Sequence, residues 1–271
     1  MPLTINTNVP SLTNLEFINR MLAKHTRRIS SGLRINSAAD DAAGLGVANN
    51  LNAQSRSVSQ AIRNTNDGIS FVQTAEGANS EVNNLVNRMR EIAVQGSSST
   101  LTSTQRTNLQ TELTEIISEV GRVAANTEFN DTKLTDGTTP TLAVQVGPNN
   151  SANDQITMTF GDLQTSTLGI SSLSVSTAAS SSAAITTIDS AINTLSSYAS
   201  QYGATQNRLD YNVSNLENYS SNLQAAESSV LDADYAYESS QYAKYQTQQQ
   251  AAIAVMAQAN INRQSILTLL Q

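Results

Sequence analysis

From Ile188 to Val230 the apolar positions of this chain are separated only by threes and fours: Ile188, Ile192, Leu195, Ala199, Tyr202, then Leu209, Val213, Leu216, Leu223, Ala226 and Val230, with Gln206 and Ser220 filling two steps. That spacing lays a single stripe along an α-helix and is incompatible with a strand, whose faces alternate every second residue. About 46 residues at ~1.5 Å each make a helix near 70 Å long. So long a helix with so narrow a stripe must lie beside partners of similar length.

The chain supplies such partners. From Val58 to Ile92 ten apolar steps cover 34 residues, a mean of 3.4 and close to the coiled-coil value of 3.5. Gly68 and Gly77 interrupt this helix, which implies close packing or bending there. A third helix opens on Thr102-Ser-Thr-Gln105, a capping box, and continues through Leu109, Leu113, Ile116, Val120 and Val123. The first helix, with Ser11 as expected N-cap, has the seam Leu12, Leu15, Asn19, Leu22, Thr26, Ile29 and Leu33; Gly32 and the run 36–41 break it. Leu142, Val144 and Val146 alternate with polar neighbours, as do Ile156, Met158 and Phe160, with a turn-rich run from Gly147 to Asp154 between them, so a β-hairpin is expected near 142–160. Residues 161–182, rich in Ser and Thr, read as a loop with a short strand near 171–175. The fold expected is mainly α: a long antiparallel helical hairpin, a coiled-coil bundle with a small β-hairpin region between the N- and C-terminal arms.

The last helix sets the tone for function. Its seam runs Tyr242, Tyr245, Gln249, Ala252, Met256, Ala259, Arg263, Ile266 and Leu270, with two polar positions and two alanines. Such a stripe buries little apolar area against one neighbour, so this helix requires neighbours on more than one side. Other copies of the same chain are the natural suppliers. The arms also carry complementary charge: up to residue 35 five basic residues face Glu16 alone, while the last 41 residues hold two basic and three acidic ones.

Composition narrows the function classes. Hydrophobic residues make up 39%, aromatics 4%, and there is no Trp, so any core is thin and aliphatic. A net charge of −7 argues against nucleic-acid binding. Cysteine is absent, so stability must come from packing or assembly. The first ten residues lack the pattern of a signal peptide, and the longest apolar run, Ala251 to Ala257, is too short to span a bilayer; general rules therefore place the chain in the cytoplasm. The one histidine, His25, has no triad or metal set around it and reads as a solvated or interface imidazole. Asp40-Asp41 and Asp232-x-Asp234 read as helix caps in preference to cation ligands. Zinc motifs, phosphate loops and dinucleotide fingerprints are missing. The expectation is a protein that is not an enzyme and binds no cofactor or metal. Arg88, Arg90, Glu91 and Ile92 fall within one stretch, Arg88 sharing a helix face with Glu91 and Ile92: an ordinary ion-pair stripe or a contact surface.

Several stretches carry a family likeness. Leu3-Thr-Ile-Asn-Thr-Asn8, Arg28-Ile-Ser-Ser-Gly-Leu-Arg-Ile-Asn-Ser37, Asp40-Asp-Ala-Ala-Gly44, Arg90-Glu-Ile-Ala-Val-Gln95 and Thr127-Glu-Phe-Asn130 resemble the amino end of a bacterial flagellin. Asn207-Arg-Leu-Asp210, Asp232-Ala-Asp-Tyr235, Gln258-Ala-Asn-Ile-Asn262 and Leu267-Thr-Leu-Leu270 resemble its carboxyl end. The resemblance implies an export-competent subunit of the helical flagellar filament, which drives motility as a propeller. It implies a terminal filament-core domain from residues 1–40 and 232–271, and a rod-like core domain from 41–183 and 184–231. No room is left between the arms for the outer domains of larger members. The implied assembly seam is Leu12, Leu15, Leu22, Ile29 and Leu33 with Tyr242, Tyr245, Ala252, Met256, Ala259, Ile266 and Leu270. The implied partners are further copies in a homo-polymer, hook-associated junction and cap proteins, a flagellar export chaperone on the C-terminal segment, and host Toll-like receptor 5 for the monomer. Contact with that receptor is implied for Asn87, Arg88, Ile92 and Glu112. Export through the flagellar type III apparatus replaces the cytoplasmic reading with an extracellular one. Two alternatives stand beside the filament subunit: the hook–filament junction protein of the same family, and a coiled-coil binding module that does not polymerise.

Overall fold

A computed structural model describes the backbone of residues 9–269 and the side-chain surroundings of residues 11–261. The Leu3–Asn8 motif, Leu270 and the side chains of Arg263 and Ile266 therefore lie outside the described residues. The elements are α1 (Val9–Ser31), α2 (Ala42–Ser97), α3 (Ser103–Asn126), β1 (Glu128–Phe129), β2 (Thr132–Lys133), β3 (Thr141–Gln145), β4 (Gln155–Thr159), α4 (Ala178–Leu231) and α5 (Tyr235–Leu269). The protein is mainly α, with the small hairpin where alternation places it. Contacts divide the chain into two units, one of residues 56–220 and one joining residues up to Ser55 to those from Ser221. Both lines of division fall inside long helices, α2 and α4, rather than at the breaks in spacing near residues 40 and 232.

In the 56–220 unit, α2 and α4 run antiparallel. Asn79 Nδ2 donates to the Leu195 carbonyl at 3.1 Å and Thr65 Oγ1 to Asn212 Oδ1 at 3.3 Å, so numbers rise along one helix as they fall along the other. One core cluster joins Val82, Val86, Met89 and Ile92 of α2, Leu113 and Val120 of α3, and Ile188 and Leu195 of α4. A second joins Val72 and Ala75 of α2 to Val146, Ile156, Met158 and Phe160 of the hairpin and Tyr202 and Leu209 of α4. The hairpin pairs Leu142 with Met158 and Val144 with Ile156. A Cβ at Gly68 would stand 3.4 Å from Val144 and 3.5 Å from the Met158 sulfur, ordinary contact distances, so the hairpin packs directly against this turn of α2. Gly77 has no such neighbour. Thr102 and Gln105 form the reciprocal cap expected of them at the start of α3.

Three local expectations are corrected. Helix α1 begins at Val9, so Ser11 lies inside the first turn; Pro10 is tolerated there because its missing N–H has no helical partner to lose. No strand forms at 171–175. The side-chain amide of Gln110 serves this segment instead, donating to the Leu173 carbonyl at 3.3 Å and accepting from Val175 N–H at 2.7 Å. A second, minimal hairpin, β1–β2, was not anticipated; its turn residues Asn130 (φ 48°) and Asp131 (φ 59°) take the left-handed conformation that tight hairpins demand.

In the other unit, α1 ends on Gly32 (φ 71°), whose N–H returns to the Arg28 carbonyl at 2.9 Å. The chain then pairs across to the start of the C-terminal arm. Arg34 N–H donates to the Leu231 carbonyl at 2.6 Å and Ala233 N–H to the Gly32 carbonyl at 2.9 Å, so α1 and α5 leave one shared base as antiparallel helices.

Candidate functional site

Beyond that base, α1 and α5 lie side by side. A stripe of covered positions on α1 runs Leu15, Ile18, Leu22, His25 and Ile29, again threes and fours, flanked by the partly covered Ser11, Met21, Lys24 and Arg28, with Leu33 half-buried at the base. Leu15, Leu22 and Ile29 are seam positions read from the sequence, but the stripe leans the other way between them. Ile18 and His25 turn inward, whereas Asn19 and Thr26 are exposed and Leu12 is 48% exposed. The shift follows from side-chain chemistry: Ile18 gains from burial, and His25 finds a buried acid. On α5, Tyr242, Tyr245, Gln249, Ala252, Met256 and Ala259 are all half-buried. Asn19 and Gln249 bridge the helices at 2.7 Å.

Polar groups hold the pair near its base. His25 Nδ1 lies 2.5 Å from Glu238 Oε2, and Arg28 Nη1 donates to Glu238 Oε1 at 3.0 Å. Glu238 is 3% exposed and His25 7%. The imidazole stacks on Tyr245 with ring centres 5.3 Å apart. Lys24 Nζ stands 3.1 Å from Asp40, and its hydrogen bond is the main reason that this carboxyl titrates below its ordinary value of 3.8. Asp41 and Asp234 act as caps: Asp41 Oδ1 accepts from Gly44 N–H, and Asp234 Oδ1 from the N–H groups of Ala236 and Tyr237. His25 was findable in the sequence, standing three residues after Leu22 and four before Ile29. What no spacing reveals is that its partner is 213 residues away.

The outside of this helix pair is apolar as well. Ile253, Val255 (63% exposed) and Ile261 on α5, and Phe17 on α1, are left exposed among the described residues. Ala252, Ile253, Val255 and Ile261 point in widely different directions around α5, since each residue advances about 100°. One neighbour, α1, cannot reach them all.

The second candidate region is the face of α2 and α3. Arg88 donates through Nε and Nη2 to Glu112 Oε1 at 3.1 and 2.7 Å, and through Nη1 to Glu91 Oε2 at 2.7 Å. Asn87 and Arg88 are exposed, and Glu112 is partly so. Ile92 is not: at 1% exposure it belongs to the core cluster. Arg88 and Ile92 are about 40° apart around the helix, and that angle carries Ile92 inward. Ile92 thus lies beneath the face that Asn87, Arg88 and Glu112 present, not on it.

Residues 5–140 match the bacterial flagellin N-terminal helical region and residues 185–270 the bacterial flagellin C-terminal helical region. The chain is 39% identical over 270 residues to the flagellin of Halalkalibacterium halodurans, spanning 98% of this chain and 99% of that one. It is 34% identical over 284 residues to the flagellar filament 31.3 kDa core protein of Treponema maltophilum, with the same two coverages of 98% and 99%. The crystal structure of Bacillus cereus flagellin is similar with a TM-score of 0.51 at 28% identity, covering 57% of this chain and 88% of that one. Matched at both ends in order and along almost its whole length, the chain belongs to the bacterial flagellin family, the structural subunits of the flagellar filament.

Proposed function

We infer that the α1–α5 pair is the surface through which subunits of this chain polymerise, as a self-associating seam built from Leu15, Leu22, Ile29, Tyr242, Tyr245, Ala252, Met256 and Ala259 together with the bare apolar groups outside it. The observation that supports this reading is the distribution of apolar side chains around α5. A helix apolar on several sides is stable in water only when several sides are covered. In a helical polymer each subunit meets copies of itself on more than one side, and the uncovered faces find partners without any new sequence. Purified chain seeded with filament fragments is expected to sediment as long polymers visible by electron microscopy. A chain that stays monomeric on seeds at high concentration overturns the reading. The junction-protein and free coiled-coil readings gain no observation that favours them.

The same reading carries the finer roles. The subunit leaves the cell through the flagellar type III apparatus, with a chaperone on its C-terminal segment until export, and meets junction and cap proteins at the filament ends. No helix among the described residues is long and apolar enough to cross a membrane. For the free monomer, the exposed cluster of Asn87, Arg88 and Glu112 offers host Toll-like receptor 5 a charged, pre-positioned face. The Arg88–Glu112 pair supports this, because it ties α2 to α3 and holds the guanidinium at the surface.

A further inference from the structure

Among the described residues of α1 and α5, only Ile18, His25 and Glu238 fall below a tenth exposed. Two of these three ionise. Apolar packing along the rest of the pair is thin, since the α5 side offers alanines, one Met and half-buried tyrosines. Contact between the arms is therefore decided where Glu238 sits.

The backbone bonds between Gly32 and Ala233 and between Arg34 and Leu231 fix the register at the base. Glu238 lies about one and a half turns further on. Both of its oxygens are taken by groups of α1, one by His25 and the other by Arg28. The charged and titratable groups around it are Lys24, His25 and Arg28 on α1, Asp40 in the connection after α1, the capping Asp234, and Lys244 and Tyr245 on its own helix. Arg28 Nη2 is 3.9 Å from Asp40, which Lys24 also holds. The cations of α1 thus serve two acids, one from each arm. A carboxylate set this deep is tolerated only when paired, and without partners it favours an undocked helix over a docked one.

We propose that Glu238 is a specificity-determining residue of the self-association site: its pairing with His25 and Arg28 decides whether the C-terminal arm seats on the N-terminal arm. Only a seated pair presents Phe17, Val255 and their neighbours as one surface to the next copy. This rests on the filament reading.

The test uses full-length chains carrying Glu238→Gln, Glu238→Arg, Arg28→Glu, or the exchange pair Arg28→Glu with Glu238→Arg. Each is first checked for wild-type melting of the 56–220 unit, which contains none of these residues. Growth on wild-type filament seeds is then followed by sedimentation. Glu238→Gln is expected to raise the critical concentration about tenfold, the scale of a lost hydrogen bond to a charged group. Either reversal alone is expected to stop growth, and the exchange pair to restore it. An unchanged critical concentration for Glu238→Gln, or an exchange pair no better than the single reversals, overturns the proposal. Failure of the wild-type chain itself to grow on seeds overturns the filament reading instead.

Discussion

Gly161 N–H donates to the Tyr202 hydroxyl at 2.8 Å, and a Cβ at position 161 would overlap the ring of Tyr198. The strand after Met158 can pass so close to α4 only because this residue has no side chain. Gly161→Ala is expected to force the Tyr198 ring aside and to cost about 1–3 kcal/mol, read as a lower midpoint in urea with an unchanged slope. Asp40 belongs to the same scale. Its hydrogen bond from Lys24 lowers its pKa below 3.8. A depressed carboxyl contributes stability that is fully present above its unfolded value and lost as pH falls through its folded one. Asp40→Asn is therefore expected to flatten the acid limb of unfolding below about pH 4 for the arms. Helicity followed by circular dichroism from pH 6 to pH 2 checks this, and superimposable curves for variant and wild type would refute it.

At the scale of the element, α2 shows how one helix serves two ends with adjacent residues. Arg88 faces solvent while Ile92, one turn on, is enclosed by the core. Ile92→Ala is expected to cost about 2–5 kcal/mol, because the cavity it leaves cannot collapse between packed helices. Arg88→Ala removes exposed ion pairs, which water screens, and should leave the melt almost unmoved. If Arg88 belongs to a receptor face, its alanine variant weakens Toll-like receptor 5 signalling by monomer in a reporter-cell assay at wild-type helicity. Full potency would remove that face from the account.

For the whole molecule, the two units differ in what they ask of their surroundings. The 56–220 unit encloses two hydrophobic clusters of its own. The unit of the two arms has a polar clasp at its base and apolar groups on the outside. Deletion of residues 232–271 is thus expected to leave the 56–220 unit folded, with its melting transition kept, while abolishing sedimentable polymer. Long filaments from the shortened chain would contradict the assignment of growth to the arms.

Helix periods, the Thr102 cap and the 141–159 hairpin were legible from spacing alone, because period 3.6 and period 2 are local properties of the backbone. So was the thinness of the α5 seam, with its polar positions and alanines. The β1–β2 hairpin escaped because two-residue strands give alternation no room to show. The α1 seam was read one position away at Asn19 and Thr26 because both registers satisfy the same threes and fours. Only packing chose between them, and it chose the register in which His25 and Arg28 meet Glu238, a residue more than two hundred positions away. For Ile92 spacing and family likeness pointed different ways: the seam counted it among the apolar positions while the resemblance implied a surface contact, and the structure buries it. The sequence by itself determined which segments are helical and where the apolar positions of each arm fall. Tertiary structure decided which side of each helix is inside, because burial is set by contacts between distant segments and not by the order of residues along one.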